Sequence, residues 1–274
     1  MQTSERLDLT IVIVTYNSES VILSCLESLG ERMRQNILIV DNASTDKTVS
    51  LIQDCGVNVI CLEKNEGFAA AANIAAKAAK GKYVCFLNPD CTVGQNFFIE
   101  ALAIIEKSSA ACVVPSLLDE DGLKVEGRQP GYTRWKLVDN ILQTNYGQNP
   151  VSRLLRTLPN YHDSTWFWPH GACFILEREK FLNLQLDARF FLYMEDVDFG
   201  RRLANAGGAI LSVDHKVVHK SRQGSSISKR ERLSLLNRGR IRYAKLYYGW
   251  PFAAFLQVVA FPGSMLRKFL QYRS

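Results

Sequence analysis

Over the first 115 positions, short apolar runs rich in β-branched residues alternate with stretches of helical periodicity. Leu9 to Val14 (LTIVIV), Ile37 to Val40 (ILIV), Val57 to Leu62 (VNVICL), Tyr83 to Leu87 (YVCFL) and Ala110 to Val114 are nearly continuous in apolar character, as strands covered on both faces must be. After the first run, Val21, Ile22, Cys25, Leu26 and Leu29 recur at helical spacing behind Ser18, which reads as an N-cap. Phe68 to Lys80 (FAAAANIAAKAAK) is alanine-rich and predicts a helix with Gly81 as its C-cap. This alternation predicts an α/β fold with a doubly wound, mostly parallel sheet, whose ligands sit beyond the carboxyl ends of the strands. Residues 116 to 165 are irregular, with a mobile stretch expected near Asn145 to Pro150. Order resumes at Trp166 to Leu176, then at Phe190 to Asp198 with a helix through Leu203, and at a strand near Ala209 to Val213.

The predicted strand exits are polar. They read Thr15-Tyr16-Asn17, Asp41 to Asp46 (DNASTD), Lys64-Asn65-Glu66-Gly67 and Asn88-Pro89-Asp90. One such exit is ordinary turn chemistry; four at the same edge of one sheet point to a ligand site. A carboxylate at Asp90 suits Mg²⁺ or Mn²⁺ bound together with substrate phosphates, and His219 offers Mn²⁺ a nitrogen, although a lone histidine is more often structural. Glu195-Asp196-Val197-Asp198 sets three carboxylates within four residues in an aromatic, apolar surround. If a helix begins there, Glu195 and Asp198 share a face and Asp196 projects elsewhere. The cluster reads either as a solvated helix N-terminus favoured by the dipole or as a general base raised in pKa by burial and like charge. Arg128, Trp168 and His170 are candidate ligand contacts and equally candidate structural residues.

Composition adds a partner. The 274 residues are 47% hydrophobic and 22% charged, which excludes disorder, collagen and a disulfide-stapled mini-fold. Seven cysteines show no CxxC pair or zinc spacing, and the expectation is a reducing cytoplasm. Neither a signal peptide nor 18 uninterrupted apolar residues is found. The net charge of +6 divides unevenly: residues 1–200 carry 18 basic and 25 acidic side chains, residues 201–274 carry 15 and 2. Arg222, Lys229, Arg230, Arg232, Arg238, Arg240, Arg242 and Lys245 crowd one region, and between Ser228 and Tyr248 the cations interleave with leucines and aromatics. The pattern predicts a basic amphipathic helix. Trp250 to Leu266 is apolar but interrupted by Pro251, Gln257 and Pro262, which suits a helix or hairpin lying in a membrane interface, held by ~1 kcal/mol per cation near anionic lipid. The competing reading packs Phe252 to Phe261 on the domain or on a second subunit. No nucleic-acid module is recognisable, so nucleic acid is not expected as a partner.

The ordered series TIVIVTYNS, ILIVDNASTD, NEGFAAAAN, FLNPD and F-x-Y-M-E-D-V-D-F resembles glycosyltransferase family 2, and within it the bacterial rhamnosyltransferase-like branch that builds O-antigen and other cell-surface polysaccharides. The resemblance covers roughly residues 9 to 222. It implies a GT-A fold at 1–225, with a Rossmann-like nucleotide-binding half at 1–115 and an acceptor and catalytic half at 116–225, followed by a basic amphipathic helical extension at 226–274. It further implies inverting transfer of a sugar, L-rhamnose from dTDP-rhamnose, from a nucleoside diphosphate donor to a lipid-linked or polysaccharide acceptor, by an enzyme peripheral to the inner face of the cell membrane. A UDP-hexose or UDP-galactofuranose donor, a catalytically silent nucleotide-sugar-binding partner and a homo-oligomer stay open. Carried over by motif, Thr15, Tyr16, Asn17, Asp41, Asn65, Gly67, Asn88 and Asp90 belong to the nucleotide-sugar site. Asp90 and His219 are implied metal ligands, Asp196 the catalytic base and Glu195 its neighbour. The departure from the family's D-x-D is Asn88, whose amide brings an oxygen but no charge.

Overall fold

The computed structural model describes residues 7–94, 96–119, 121–220 and 227–271, with side chains as far as 260. The chain alternates β1 (Leu9–Thr15), α1 (Ile22–Leu29), β2 (Ile37–Asp41), α2 (Thr48–Asp54), β3 (Asn58–Cys61), α3 (Phe68–Ala78) and β4 (Tyr83–Leu87). Next come β5 (Cys91–Thr92), α4 (Asn96–Lys107), β6 (Ala110–Leu118), β7 (Lys124–Val125) and β8 (Arg128–Pro130). The following stretch holds α5 (Arg134–Tyr146), α6 (Pro150–Leu155), β9 (Phe167–Pro169), β10 (Cys173–Glu177) and α7 (Arg178–Leu184). The last elements are α8 (Glu195–Asn205), β11 (Ala209–His219), α9 (Lys229–Tyr248) and α10 (Trp250–Gln271).

The main sheet runs β3-β2-β1-β4-β10-β6-β11-β5, with β7 paired to β6. β3, β2, β1 and β4 are mutually parallel, as the alternation predicts. β10 then enters antiparallel between β4 and β6, opposing Cys173–Glu177 to Leu87–Tyr83. The two predicted halves therefore share one sheet. Period-two alternation decides which face each side chain covers: Ile11 and Ile13 of β1 join a core with α1 and α4, whereas Val12 and Val14 face α3, α7 and α8. Phe86 of β4 stacks on Phe174 of β10 at 4.8 Å and on Phe181 at 4.5 Å, so the antiparallel insertion is packed as well as hydrogen-bonded.

Several expectations change. The third strand is an edge with two exposed residues, because nothing covers it beyond β2. Ser18 does not cap α1 through its side chain, and its carbonyl accepts from Val21 and Ile22 instead. Gly81 is not the C-cap of α3, which ends at Ala79; a Cβ at Gly81 would lie 2.6 Å from the Leu9 carbonyl carbon, so glycine is required for close packing against β1. The irregular stretch contains α5, capped by Thr133, and α6, capped by Asn149 with Pro150 in its first turn. Asn145 to Pro150 is thus the short joint between two helices.

The C-terminal region is not a separate body. Tyr243, Ala244, Ala253 and Leu256 share a core cluster with Leu137, Met194 and Val197. The apolar side of α9 is thereby spent on protein, and Arg240 is turned inward, donating to the Asn140 carbonyl and the Thr144 hydroxyl. The boundary at residues 225 and 226 and the cation Arg222 lie outside the described residues, or at their edge. Among the described residues no helix is long and apolar enough to cross a membrane. All seven cysteines are free, five of them buried.

Candidate active site

A cavity of about 450 Å³ opens at the carboxyl ends of β1 and β4, where the strand order turns from β2 on one side of β1 to β4 on the other. Thr15, Tyr16, Asn65, Gly67, Asn88, Asp90, Trp168, His170, Glu195, Asp196 and His219 all line it. Three sequence candidates do not. Asp41 is buried under the strand exits, accepting from the Thr15 hydroxyl at 2.8 Å, the Ser44 hydroxyl at 2.6 Å and the Ser44 backbone N–H at 2.8 Å. Its Thr15 bond ties β1 to β2 and its two Ser44 bonds shape the loop that follows β2, so Asp41 supports the cavity's floor without lining it. Asn17, at φ 49°, accepts from the Thr45 N–H and likewise ties loops together. Arg128 donates to the Ile210 carbonyl and lies 4.2 Å over the Phe167 ring, a strut between β11 and β9.

The wall near α3 is made by close approach. Gly67 sits at φ 83°, and a Cβ there would fall 2.3 Å from the Phe191 carbonyl oxygen, which accepts from the Phe68 N–H at 2.9 Å. Asn65 accepts from the Asn42 amide and from the Gly67 N–H, so it shapes this wall.

Asp90 and His219 are distant in sequence and meet through pairing. β5 follows the Asn88-Pro89-Asp90 turn and pairs antiparallel with β11, opposing Cys91 to His219. His219 Nε2 then lies 3.3 Å from Asp90 Oδ1, an oxygen that is buried and has no hydrogen-bond partner. An unsatisfied carboxylate oxygen beside an imidazole nitrogen is the donor set of a hard-to-borderline divalent cation. Cys91 Sγ is close enough to be a third ligand, but burial pushes its thiol well above the ordinary range and it donates to the Ala172 carbonyl. The fit is therefore one carboxylate and one imidazole facing the cavity.

The acidic pair begins α8. Tyr193 and Met194 immediately before it both have left-handed backbones, at φ 70° and 74°, a strain of order 1–3 kcal/mol per residue that surrounding contacts must hold. Asp196 Oδ1 accepts from the Val197 N–H at 2.8 Å and Oδ2 from the Gly171 N–H at 3.1 Å, while Glu195 Oε2 is buried without a partner. Burial, with the Asp196 charge beside it, pushes the Glu195 carboxyl well up; burial also raises Asp196, to about 6, against the pull of its two backbone donors. Burial and like charge thus work against both carboxyls being ionised at once. Asp198 lies apart, salt-bridged to Arg202 at 2.7 Å and accepting from the Tyr247 hydroxyl at 2.6 Å, which makes it structural. Burial and the neighbouring His219 depress His170 to about 4; its Nδ1 accepts from the Ala172 N–H, so the ring is neutral with Nε2 protonated.

Sequence reading overlooked Tyr132, Tyr193 and, from the C-terminal region, Ile227, Arg232 and Leu236, which complete the cavity wall. Tyr132 closes the GRQPGY segment, directly after Gly131, and that position was the one available signal. Nothing local marks the α9 residues, which reach the cavity only through tertiary packing.

The family model of glycosyl transferase family 2 matches residues 10–185. The chain belongs to that family. It is 30% identical over 222 residues to the N-acetylglucosaminyl-diphospho-decaprenol L-rhamnosyltransferase of Mycobacterium tuberculosis, covering 73% of this chain and 71% of the relative. To a UDP-Glc:alpha-D-GlcNAc-diphosphoundecaprenol beta-1,3-glucosyltransferase of Escherichia coli it is 37% identical over 86 residues, 30% of this chain and 34% of the relative. Against several other curated relatives the chain spans 19% to 40% of their length. Among solved structures, GalNAc-T7 crystallised with UDP, GalNAc and Mn²⁺ superposes with a TM-score of 0.59 over 89% of this chain and 49% of that one at 19% identity, which shows the GT-A fold.

Proposed function

We propose that this family 2 chain transfers a sugar, with inversion, from a nucleoside diphosphate donor to a hydroxyl of a lipid-linked or polymeric glycan, and that the donor is dTDP-L-rhamnose. The observation that carries the reading is one cavity holding both the buried Glu195–Asp196 carboxyl pair and the Asp90–His219 pair. Asp196 takes the proton of the attacking acceptor hydroxyl, fixed by the Val197 and Gly171 N–H groups so that it points one way. Asp90 and His219 would hold a divalent cation, Mn²⁺ in preference to Mg²⁺ because one ligand is nitrogen, and such an ion when bound offsets the charge gathering on the diphosphate leaving group. Thr15, Tyr16 and Asn65 line the nucleotide end; Trp168 and neutral His170 line the acceptor side.

The M. tuberculosis relative favours rhamnose and a diphospho-polyprenol acceptor; the E. coli relative favours a UDP-glucose donor as the second reading. A thermal-shift and turnover panel of dTDP-rhamnose, UDP-glucose and UDP-N-acetylglucosamine with and without Mn²⁺ separates them. Stabilisation and turnover by UDP-sugars alone would overturn the rhamnose assignment, and binding without turnover of any donor would overturn the enzyme reading.

The same reading places the protein at the cytoplasmic face of a membrane, peripherally. From Arg232 to Ser274 there are eight Lys and Arg and no Asp or Glu. The outward face of α10 presents Trp250, Phe255 and Val258 to solvent, at 62%, 49% and 68% exposure, while Ala253 and Leu256 bury the opposite face. Lys229, Arg230, Arg238, Arg242 and Lys245 of α9 are the exposed cations. An apolar face next to cations matches an anionic bilayer surface. Co-sedimentation with phosphatidylglycerol vesicles that falls with salt and with Phe255→Ser and Val258→Ser is the expected result; equal recovery with neutral vesicles would refute it.

A further inference from the structure

Nothing within the acidic pair secures the left-handed turn that presents it. Tyr193 and Met194 must both stay at positive φ for α8 to begin at Glu195, and the Met194 carbonyl then accepts the Asp198 N–H at 2.9 Å as the helix's opening bond. The contacts that close on this turn come from α9. Gly239 is buried against it: a Cβ there would stand 2.8 Å from the Tyr193 carbonyl oxygen and 3.0 Å from Met194 Cγ. Tyr243 and Tyr247 follow at intervals of four and so continue the same face. Tyr247 donates to Asp198 Oδ1 at 2.6 Å, while Asp198 Oδ2 accepts from Arg202 Nε. Burial and the Asp198 charge keep the Tyr247 phenol far above its ordinary pKa, so it remains a donor. From α8, Arg201 reaches back, donating to the Tyr243 hydroxyl at 3.0 Å and lying 4.0 Å over the Tyr247 ring.

We propose that Gly239 and Tyr247 of α9 are positioning residues for Asp196. One seats the left-handed turn and the other locks the first turn of α8, so that the C-terminal region is a splint of the active site as well as a surface element. The inference rests on Asp196 being the base. Its geometric basis is that a strained turn persists where neighbours over-determine it, and here the neighbours belong to a different helix. Loss of the splint lets the carboxylate swing by a fraction of an ångström to an ångström, enough to cost roughly 10²-fold in rate while the nucleotide end of the cavity, built from β1, β3 and β4, is undisturbed.

Tyr247→Phe keeps the ring and its Arg201 contact and deletes only the bond to Asp198; Gly239→Ala forces the turn. Each variant is measured in the full chain for kcat and donor KM with the donor that turns over, for affinity of that donor's nucleoside diphosphate with Mn²⁺ by calorimetry, and for the acid limb of its rate profile, at a temperature well below its own melting point. The expected result is kcat down about tenfold or more in both, nucleoside diphosphate affinity and donor KM within about twofold of the parent, and a displaced acid limb. Wild-type kcat and an unmoved limb in folded Tyr247→Phe would overturn the proposal even if Gly239→Ala fails to fold, and so would equal losses of kcat and nucleotide affinity. Asp196→Asn, run alongside, separates the two readings: if it still transfers sugar the base assignment fails, whatever the α9 variants do.

Discussion

The proposed role of Asp196 as base predicts that its carboxyl sets the pH dependence of transfer. Burial lifts it to about 6, and a base works only when ionised, so the rate follows its deprotonation. A group titrating there is ~90% ionised at pH 7 and ~10% at pH 5, which puts kcat near its plateau above pH 7 and makes it fall about tenfold per unit below 6. An unperturbed aspartate would move that limb down to about 4. The assay is initial rate at saturating donor and Mn²⁺ from pH 4.5 to 8 at fixed ionic strength, with affinity for the donor's own nucleoside diphosphate and Mn²⁺ measured over the same range, so that loss of transfer is separated from loss of binding. Asp196→Asn should remove the limb and lower kcat by ~10²–10⁴-fold while nucleotide affinity holds. A wild-type kcat that stays flat to pH 4.5, or a decline wholly matched by loss of nucleotide binding, would refute the reasoning. The melting profile is a poorer probe of the same group. A carboxyl raised in the folded state adds stability that is full at low pH and is lost as pH rises through about 6. His170, depressed to about 4, behaves oppositely, its contribution being lost as pH falls from the ordinary histidine range through about 4. Between about 4 and 6 the two slopes oppose each other, and the melting curve should change less than the rate.

Three further outcomes are expected. Asp90→Asn should abolish the Mn²⁺-dependent part of the thermal shift with the donor's nucleoside diphosphate and leave the metal-free melting temperature close to wild type, since Asp90 Oδ1 has no hydrogen bond to lose. Gly171→Ala would set a Cβ 3.2 Å from Asp196 Oδ2 and should cut kcat by about 10- to 100-fold with little change in fold, checked by rate and circular dichroism. Asn73→Ala removes two buried hydrogen bonds to the Leu186 backbone, at 2.8 and 2.9 Å, and should cost about 3 kcal/mol in a denaturant titration.

The parallel half was legible in sequence because buried strands are written as uninterrupted apolar runs and their exits as polar ones, and both signals are local. Trp166 to Leu176 is apolar throughout, yet the chain breaks it at His170-Gly171 and uses the two parts in different sheets, β9 with β8 and β10 with β4 and β6. Hydropathy gives a strand its burial and says nothing of its direction or neighbours. α5 escaped because one of its four buried residues is Asp139, whose Oδ2 accepts from Tyr161 and Arg156 beyond the helix, so that its apolar face looks broken. In the site, the carboxylates were readable from their company, Glu195-Asp196 in an aromatic setting and Asp90 at a strand exit. Asp41 reads the same way in sequence but does not line the cavity, since a carboxylate at a strand exit looks alike whether it faces a cavity or a neighbouring loop.

The antiparallel seating of β10 bears on how such a protein can be re-engineered. Early and late segments of the chain are laced through one another at the centre of a continuous ladder, since β10 comes from the later half of the chain and is bonded to β4 of the earlier half along five consecutive residue pairs. A chimera that joined the front of one family member to the back of another would have to rebuild its innermost seam, with Phe86, Phe174 and Phe181 mismatched at the join. Grafting of individual strand-exit loops leaves that seam whole. Changes of donor or acceptor preference should therefore be far more accessible by exchanging loops than by exchanging halves.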